Sequence, residues 1–187
     1  MYYAGIGSRK TPHDIRSLMS RIGEKLARAG ITLRSGGAKG ADMAFESGCK
    51  FLGGHHEIFY TNRFIVNENV MQYDPDILQE AATIAQSFHP AWNKLSPYAQ
   101  KLIARNTFQI LGADLKSPSD FVLCWTLDGS TGLTTRKTGG TGQALRIASH
   151  YRISIFNLAL KEYKEQMEEW LTQTNAKIGS PLDNSLE

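Results

Sequence analysis

A chain of 187 residues, of which 41% are hydrophobic and 21% charged, is long enough to bury one sizeable core and too short for two ordinary domains. The formal net charge of +3 and the isoelectric point near 8.8 suit an anionic ligand, but they fall short of a strongly basic nucleic-acid binder. We therefore predict one domain over residues 1–172 and a polar, disordered tail over residues 173–187.

The chain begins with a strand, a helix and a second strand. Residues 2–6 are a short apolar run broken by glycine, which predicts a strand. Over residues 15–29, apolar side chains recur at three- and four-residue spacing, which predicts an amphipathic helix. Gly30 is then placed to end that helix, and residues 31–33 form the next β-run.

A second helix and a third strand follow. The glycine-rich stretch after the second strand opens a helix through residues 43–45, and residues 57–60 predict a strand. Residues 61–77 are polar, and Asn67, Asn69 and Asp74-Pro75 discourage regular structure there. We interpret residues 61–77 as an irregular segment with a functional or partner-facing role.

The second half of the chain continues the alternation. Residues 121–125, Phe-Val-Leu-Cys-Trp, predict a fully buried parallel strand. The other predicted elements are helices at residues 77–85, 97–111, 143–150 and 161–171 and a strand at residues 153–156. Strands that alternate with helices predict a mostly parallel sheet covered on both faces, so the expected fold is a single α/β Rossmann-like three-layer domain.

Several classes of protein are disfavoured. Cys49 and Cys124 lie in apolar stretches without the spacing of a zinc site, so we expect buried, reduced thiols. The histidines at residues 55–56 and 89 fit no ligand pattern, and we expect neither a metal nor a cofactor. No run approaches the ~20 apolar residues of a membrane span, and no charged leader precedes a long apolar stretch, so we expect a cytoplasmic protein with no membrane partner.

Three glycine-rich loops follow predicted strands, at residues 5–9, 35–40 and 138–142. Glycines let backbone N–H groups approach phosphate oxygens, and the helices that follow add positive dipole ends. In a parallel sheet such strand ends converge on one crevice. Arg9, Lys39, Arg136 and Lys137 supply positive charge there. None of the loops has the Walker spacing, or the G-x-G-x-x-G spacing with a following acid, so P-loop and NAD chemistry are disfavoured.

These motifs, taken in order, resemble those of a known protein family. Gly5-Ile6-Gly7-Ser8-Arg9, then Ser-Gly-Gly-Ala-x-Gly-x-Asp at residues 35–42, then Arg105-Asn106 and Gly139-Gly140-Thr141-Gly142 closely resemble the DprA/Smf Rossmann core of the SLOG superfamily. The resemblance covers about residues 2–158. The chain resembles a small stand-alone version of that core, without the further domains that often flank it.

The resemblance implies a nucleotide pocket with one of several activities. DprA proteins bind single-stranded DNA, the LOG branch hydrolyses cytokinin ribotides, and other SLOG relatives bind signalling nucleotides. Arg105 matches the family arginine, but the register that holds the LOG glutamate gives Arg146 here. The acid that would assist glycosidic cleavage is then missing, with Glu46 or Asp42 as the available substitutes.

We therefore expect a nucleotide-binding protein that senses or sequesters a phosphate- and ribose-containing small molecule without catalysis. A small stand-alone SLOG-like domain resembles what a virus would use to sequester a host signal. The alternatives are a DprA-like single-stranded DNA-binding protein and a LOG-like nucleoside-monophosphate phosphoribohydrolase. The family also implies a homodimer or higher homo-oligomer, with the apolar residues Phe59, Phe64 and Ile65 or the last helix as the candidate interface.

Some of the expected ligand-binding residues have two interpretations. Asp42 suits a ribose hydroxyl or a helix cap. Arg105 and Asn106 suit a pocket or a solvated helix face. Trp125 suits stacking on a base or packing in the core. We expect phosphate at the loops, Arg9, Lys39 and Arg105, and ribose at Asp42 or Gln143. The full predicted set, which has no catalytic residue, is Gly7, Ser8, Arg9, Ser35, Gly36, Gly37, Ala38, Lys39, Asp42, Arg105, Asn106, Trp125, Gly139, Gly140, Thr141, Gly142 and Gln143.

Overall fold

Seven strands form one sheet in the computed structural model, which describes residues 1–173. The strands are β1 Tyr2–Gly7, β2 Thr32–Ser35, β3 His56–Phe59, β4 Arg63–Val66, β5 Asn69–Gln72, β6 Phe121–Trp125 and β7 Ser154–Asn157. Their order across the sheet is β5-β4-β3-β2-β1-β6-β7. The five adjacent strands β3, β2, β1, β6 and β7 are parallel to one another. The remaining two, β4 and β5, are antiparallel to their neighbours.

Helices cover both faces of this sheet. They are α1 His13–Arg28, α2 Ala41–Phe51, α3 Pro75–Phe88, α4 Pro97–Leu111, α5 Thr141–His150 and α6 Lys161–Thr172. Successive side chains of a strand point to opposite faces. Phe121 and Leu123 therefore pack with α1, α2 and α6, whereas Val122 and Cys124 pack with α3, α4 and α5. The predicted α/β three-layer fold with a mostly parallel sheet is confirmed.

Residues 61–77 differ from the prediction of an irregular segment. They contain the β4–β5 hairpin, whose two-residue turn is Asn67 and Glu68, with positive φ angles of 46° and 70°. Such a turn matches the twist of a hairpin, and asparagine is among the residues that tolerate its left-handed backbone. The Asn67 side chain also accepts a hydrogen bond from the His56 backbone N–H at 2.9 Å.

The Asp74-Pro75 pair begins a helix rather than discouraging one. The Asp74 carboxylate accepts a hydrogen bond from the Asp76 backbone N–H at 2.8 Å, and Pro75 occupies the first helical turn, where a missing N–H costs nothing. Helix α3 therefore extends beyond the predicted residues 77–85 at both ends. Ser96 and Pro97 begin α4 in the same way, with the Ala99 N–H donating to the Ser96 hydroxyl at 3.2 Å.

The apolar residues predicted as a candidate interface pack within the chain. Phe59 is fully buried and stacks on Phe64 at 5.8 Å between ring centroids, and Ile65 packs against the core. On α6, Met167 and Trp170 are buried as well. Most of this apolar surface is therefore used for folding, and β5, whose residues are all exposed, is left as the free edge of the sheet on that side.

Both cysteines are free and buried, as predicted. Burial raises the pKa of the Cys49 thiol to about 11, so this thiol stays protonated and unreactive at neutral pH. Within residues 1–173, no helix has the combined length and apolarity needed to cross a bilayer. Apart from Gln173, the predicted tail at residues 173–187 lies outside the described residues.

Candidate functional site

A cleft of about 790 Å³ opens beside the carboxyl ends of β1 and β6. Most of its lining comes from three parts of the chain: the end of β1 with the loop that follows it, the helix α4 with the residues just before it, and residues 136–141 at the start of α5. Ala38, Asp42, Trp125 and Leu127 complete the lining. Ligands of open α/β sheets bind at the carboxyl ends of the strands. The cleft is therefore the candidate functional site of this fold.

The Asp42 carboxylate ties the first two glycine loops together beside the cleft. Its Oδ1 accepts the Gly7 N–H at 3.1 Å, and its Oδ2 accepts the N–H groups of Gly36 and Ala38 at 3.2 and 3.4 Å. Burial raises the pKa of Asp42 to about 6, although the nearby Arg105 charge and the three N–H groups favour the ionised form. Asp42 lies in the first turn of α2, where the helix dipole favours an acidic side chain, but it makes no cap hydrogen bond to its own helix, whose N-cap is Gly40.

Arg105 lies against the same loops from α4. One of its terminal nitrogens, Nη1, donates to the Gly36 carbonyl at 2.9 Å, and the side chain lines the cleft. Its buried Nε has no hydrogen-bond partner among residues 1–173. Since an unsatisfied buried N–H costs about 1–3 kcal/mol, an acceptor oxygen that reached it would be favoured. Arg105 is therefore no part of a solvated helix face.

The loop after β1 has a fixed backbone and exposed cationic side chains. The Ser8 N–H donates to the Trp125 carbonyl at 3.0 Å, and the Lys10 N–H donates to the Ser8 hydroxyl at 3.0 Å. A Cβ on Gly40, whose φ is +93°, would lie 2.5 Å from the Ser8 carbonyl oxygen, so the two loops touch where only glycine fits. Arg9 and Lys10 are exposed and line the cleft.

The third glycine segment presents backbone donors to the cleft. Gly139, Gly140 and Thr141 all line it, and α5 begins at Thr141. Among residues 1–173, the N–H groups of Gly140 and Thr141 have no hydrogen-bond acceptor. The Asn106 side chain holds this segment by donating to the Gly140 carbonyl at 3.0 Å. Free N–H groups at a helix N-terminus favour an anionic ligand.

Asp128 stabilises the segment that contains Arg136 and Lys137. Its carboxylate accepts hydrogen bonds from the hydroxyls of Thr135 and Thr138 at 2.6 and 2.5 Å. Partial burial acts to raise the pKa of Asp128, but these hydroxyls and other donors outweigh it and lower the pKa to about 2. Arg136 and Lys137 are exposed beside the glycines and line the cleft.

An apolar surface makes up much of the rest of the cleft. Leu95, Ala99, Leu102 and Ile103 contribute to it from α4 and the turn before it, and Trp125 and Leu127 contribute from the end of β6. Trp125 is 8% exposed, so it belongs to the core and to the cleft at once. The α4 residues could not be assigned to the cleft from the sequence, because their three- and four-residue spacing is also that of a core-facing stripe.

Eleven of the predicted site residues line the cleft, namely Gly7, Ser8, Arg9, Ala38, Asp42, Arg105, Asn106, Trp125, Gly139, Gly140 and Thr141. The other six, Ser35, Gly36, Gly37, Lys39, Gly142 and Gln143, lie outside its lining. Ser35 is fully buried and donates from its hydroxyl to the Gly5 carbonyl at 2.7 Å. Gln143 is also buried, and its amide donates to the Ala85 carbonyl of α3 at 2.8 Å. Most of the loop after β2 therefore lies behind the cleft lining and packs against the residues that form it.

Neither Arg146 nor Glu46 lines the cleft. Arg146 donates to the Phe88 carbonyl at 2.7 Å, to the Thr134 hydroxyl at 2.6 Å and to the Gln143 side chain at 2.8 Å, so it joins α5 to α3 and to the preceding loop. Glu46 pairs with Lys50 at 3.1 Å on the surface of α2. Within residues 1–173, no group of three or more histidine, cysteine or acidic side chains is arranged to hold a metal ion.

No protein-family model, curated protein or solved structure matches the chain. The cleft is therefore the feature of the molecule that bears on function. Its lining combines backbone N–H donors, four exposed cationic side chains and an apolar surface that includes a tryptophan. Those three features suit a ligand with an anionic part and a flat apolar part.

Proposed function

We propose that this protein binds a nucleotide in the cleft and senses or sequesters it without catalysis, as a DprA-like member of the SLOG superfamily. The proposal rests on one observation: the N–H groups of Gly140 and Thr141, which have no acceptor in the described part of the chain, lie in the same cleft as the apolar surface of α4. The N–H groups and the neighbouring cations suit phosphate, and the apolar residues suit a base. Trp125, at the carboxyl end of β6, also lines the cleft, but it is 8% exposed and packs in the core on the α1, α2 and α6 side of the sheet.

The surroundings of Asp42 support binding rather than catalysis. Asp42 is the acidic side chain of the cleft lining in the described residues. Both of its oxygens already accept backbone N–H groups, and it is 3% exposed. A general acid must reach the leaving group within hydrogen-bond distance. Asp42 is engaged by the loops instead, and Arg146 and Glu46 lie outside the cleft lining, which disfavours the phosphoribohydrolase alternative.

We also propose a cytoplasmic location and a homo-oligomer. The free, buried thiols of Cys49 and Cys124 are typical of a reducing compartment. The exposed edge strand β5, where Val70 is 59% and Met71 44% exposed, is the surface that supports self-association. Light scattering of the purified protein gives the mass of the species in solution. A monomer at all concentrations would contradict this part of the proposal.

The nucleotide proposal is tested by mass spectrometry of the small molecules released when the purified protein is denatured. The cleft variant is Arg136→Gln/Lys137→Gln, which removes two exposed cations from the lining. The matched control is Arg21→Gln/Arg28→Gln, which removes two exposed cations of α1 outside the lining. We expect a nucleotide released from wild type and control and depleted from the cleft variant. Tight binding of single-stranded DNA with no released nucleotide would favour the alternative of a single-stranded DNA-binding protein and contradict our proposal.

A further inference from the structure

The cationic side chains of the cleft outnumber its acidic ones. Arg9 and Lys10 belong to the loop after β1, whereas Arg136 and Lys137 belong to the segment before α5, and all four line the cleft. Within residues 1–173, none of the four forms an ion pair with an acidic side chain. Their positive charges are therefore available to a ligand.

The acids near these cations are engaged by other groups. Asp42 is buried against the positive charge of Arg105 and accepts three backbone N–H groups. Asp128 does not line the cleft and is held by the hydroxyls of Thr135 and Thr138. The pair of Asp42 and Arg105 is close to neutral when Asp42 is ionised. The four exposed cations thus exceed what one phosphate group, with at most two negative charges, would balance.

The cations also reach the cleft from two parts of the chain. The loop after β1 and residues 136–137 bring one pair each, and the N-terminal N–H groups of α5 lie next to the second pair. Ligand pockets are about 300–1,000 Å³ in volume, and this cleft, at about 790 Å³, lies in the upper part of that range. It has room for more than a nucleoside monophosphate.

We infer that the ligand is a nucleotide with at least two phosphate groups, one held by each pair of cations. This inference rests on the proposed nucleotide-binding function and narrows its ligand. A nucleoside monophosphate would engage one pair and leave the other without a counterion. A second phosphate would add charge-assisted hydrogen bonds, which are roughly twice as strong as those between neutral groups. Affinity should therefore rise with the number of phosphates.

The test is calorimetric titration with the adenosine mono-, di- and triphosphates and with the matching guanosine series. Divalent cations are left out so that the phosphate charges stay unshielded. For at least one base, we expect the diphosphate to bind about tenfold more tightly than the monophosphate, since one charge-assisted interaction is worth about that factor. The Arg136→Gln/Lys137→Gln variant should reduce this ratio towards one. The Arg21→Gln/Arg28→Gln control should preserve it.

The possible failures are distinguishable. If monophosphates bind as tightly as di- and triphosphates, the inference is wrong and the proposed function stands. If no nucleotide of either series binds, the proposed function fails as well. If a single-stranded oligothymidine binds more tightly than every triphosphate, and more weakly to the cleft variant, the cations serve a nucleic-acid backbone and the inference is wrong. Circular dichroism melting of both variants establishes that they are folded.

Discussion

Two glycine-rich parts of the cleft differ in how firmly the rest of the molecule holds them. The loops after β1 and β2 are joined by the buried Asp42 carboxylate, and they touch each other at Gly40. Residues 136–141 are mostly exposed, and nothing lies within 4 Å of a Cβ built on Gly140. Glycine is therefore present in the two motifs for different physical reasons. In the first part Gly40 is required by packing, whereas in the second Gly140 leaves open space for a ligand.

The largest expected effect is on stability, and it comes from a glycine-to-alanine substitution made separately in each part. Gly40 and Gly140 are the N-cap residues of α2 and α5. In Gly40→Ala, the new Cβ would lie 2.5 Å from the Ser8 carbonyl oxygen and 2.7 Å from the Arg9 Cα, at a φ of +93°. Strain and overpacking of this kind together cost about 3–5 kcal/mol of unfolding free energy. Urea denaturation followed by circular dichroism measures this loss.

Gly140→Ala is the matched control. Its φ of −63° is helical and its surroundings are open, so we expect a change in unfolding free energy below about 1 kcal/mol. The added methyl group would stand beside the free N–H groups of α5, and we expect weaker nucleotide binding in this variant. Equal losses of stability for the two substitutions would show that the contrast between the two parts is wrong.

The pH dependence of stability tests the role of Asp42. Its pKa is about 6 in the folded protein, above the usual aspartate value, so the folded state holds the proton more tightly than the unfolded state does. The contribution of Asp42 is therefore most favourable below about pH 4 and declines as the pH rises to about 6. The expected decline is about 3 kcal/mol, with little further change above that pH.

The Asp42→Asn variant isolates this titration, because its side chain has a similar shape and does not ionise. The measured quantity is the difference in unfolding free energy between wild type and Asp42→Asn from pH 4 to pH 7. We expect the wild type to lose stability relative to the variant across this interval. A difference that is constant with pH would mean that burial does not raise the pKa of this carboxyl.

A smaller effect on stability is expected for Asp128→Ala. This change removes the acceptor of the Thr135 and Thr138 hydroxyls, and we expect a loss of about 1–2 kcal/mol. Because the same bonds position Arg136 and Lys137, nucleotide affinity should fall more than the loss of stability alone explains. Thermal melting and calorimetric titration measure the two effects. Unchanged affinity in a folded variant would exclude a positioning role for Asp128.

The sequence predicted the layers of the fold because each central element has its own local signal. The fully buried β6, Phe121–Trp125, is an unbroken apolar run, and the helices carry regular apolar stripes. The β4–β5 hairpin was missed because β5 is exposed throughout and its turn, Asn67-Glu68, contains no glycine. Polar strands at the edge of a sheet lack the apolar alternation on which such predictions depend.

Only part of the candidate site was predicted, because only some of its residues have a local sequence signal. Glycine loops at strand ends have a known place in a parallel sheet, so half of the residues that line the cleft could be predicted from the sequence. The inward turn of Gln143 towards the Ala85 carbonyl depends on how α5 packs on α3, and no local pattern encodes it. The same holds for Leu102 and Ile103, which line the cleft with a spacing that also fits the core.

Photolabelling with 8-azidoadenosine triphosphate tests most directly whether a nucleotide occupies this cleft. The azido group sits on the base, which we expect to lie against the apolar surface of α4 and β6. Tryptic mapping should find label in residues 95–103 or 125–127, and excess unmodified ATP should prevent it. Label confined to other parts of the chain, or label that ATP does not reduce, would contradict nucleotide binding in this cleft.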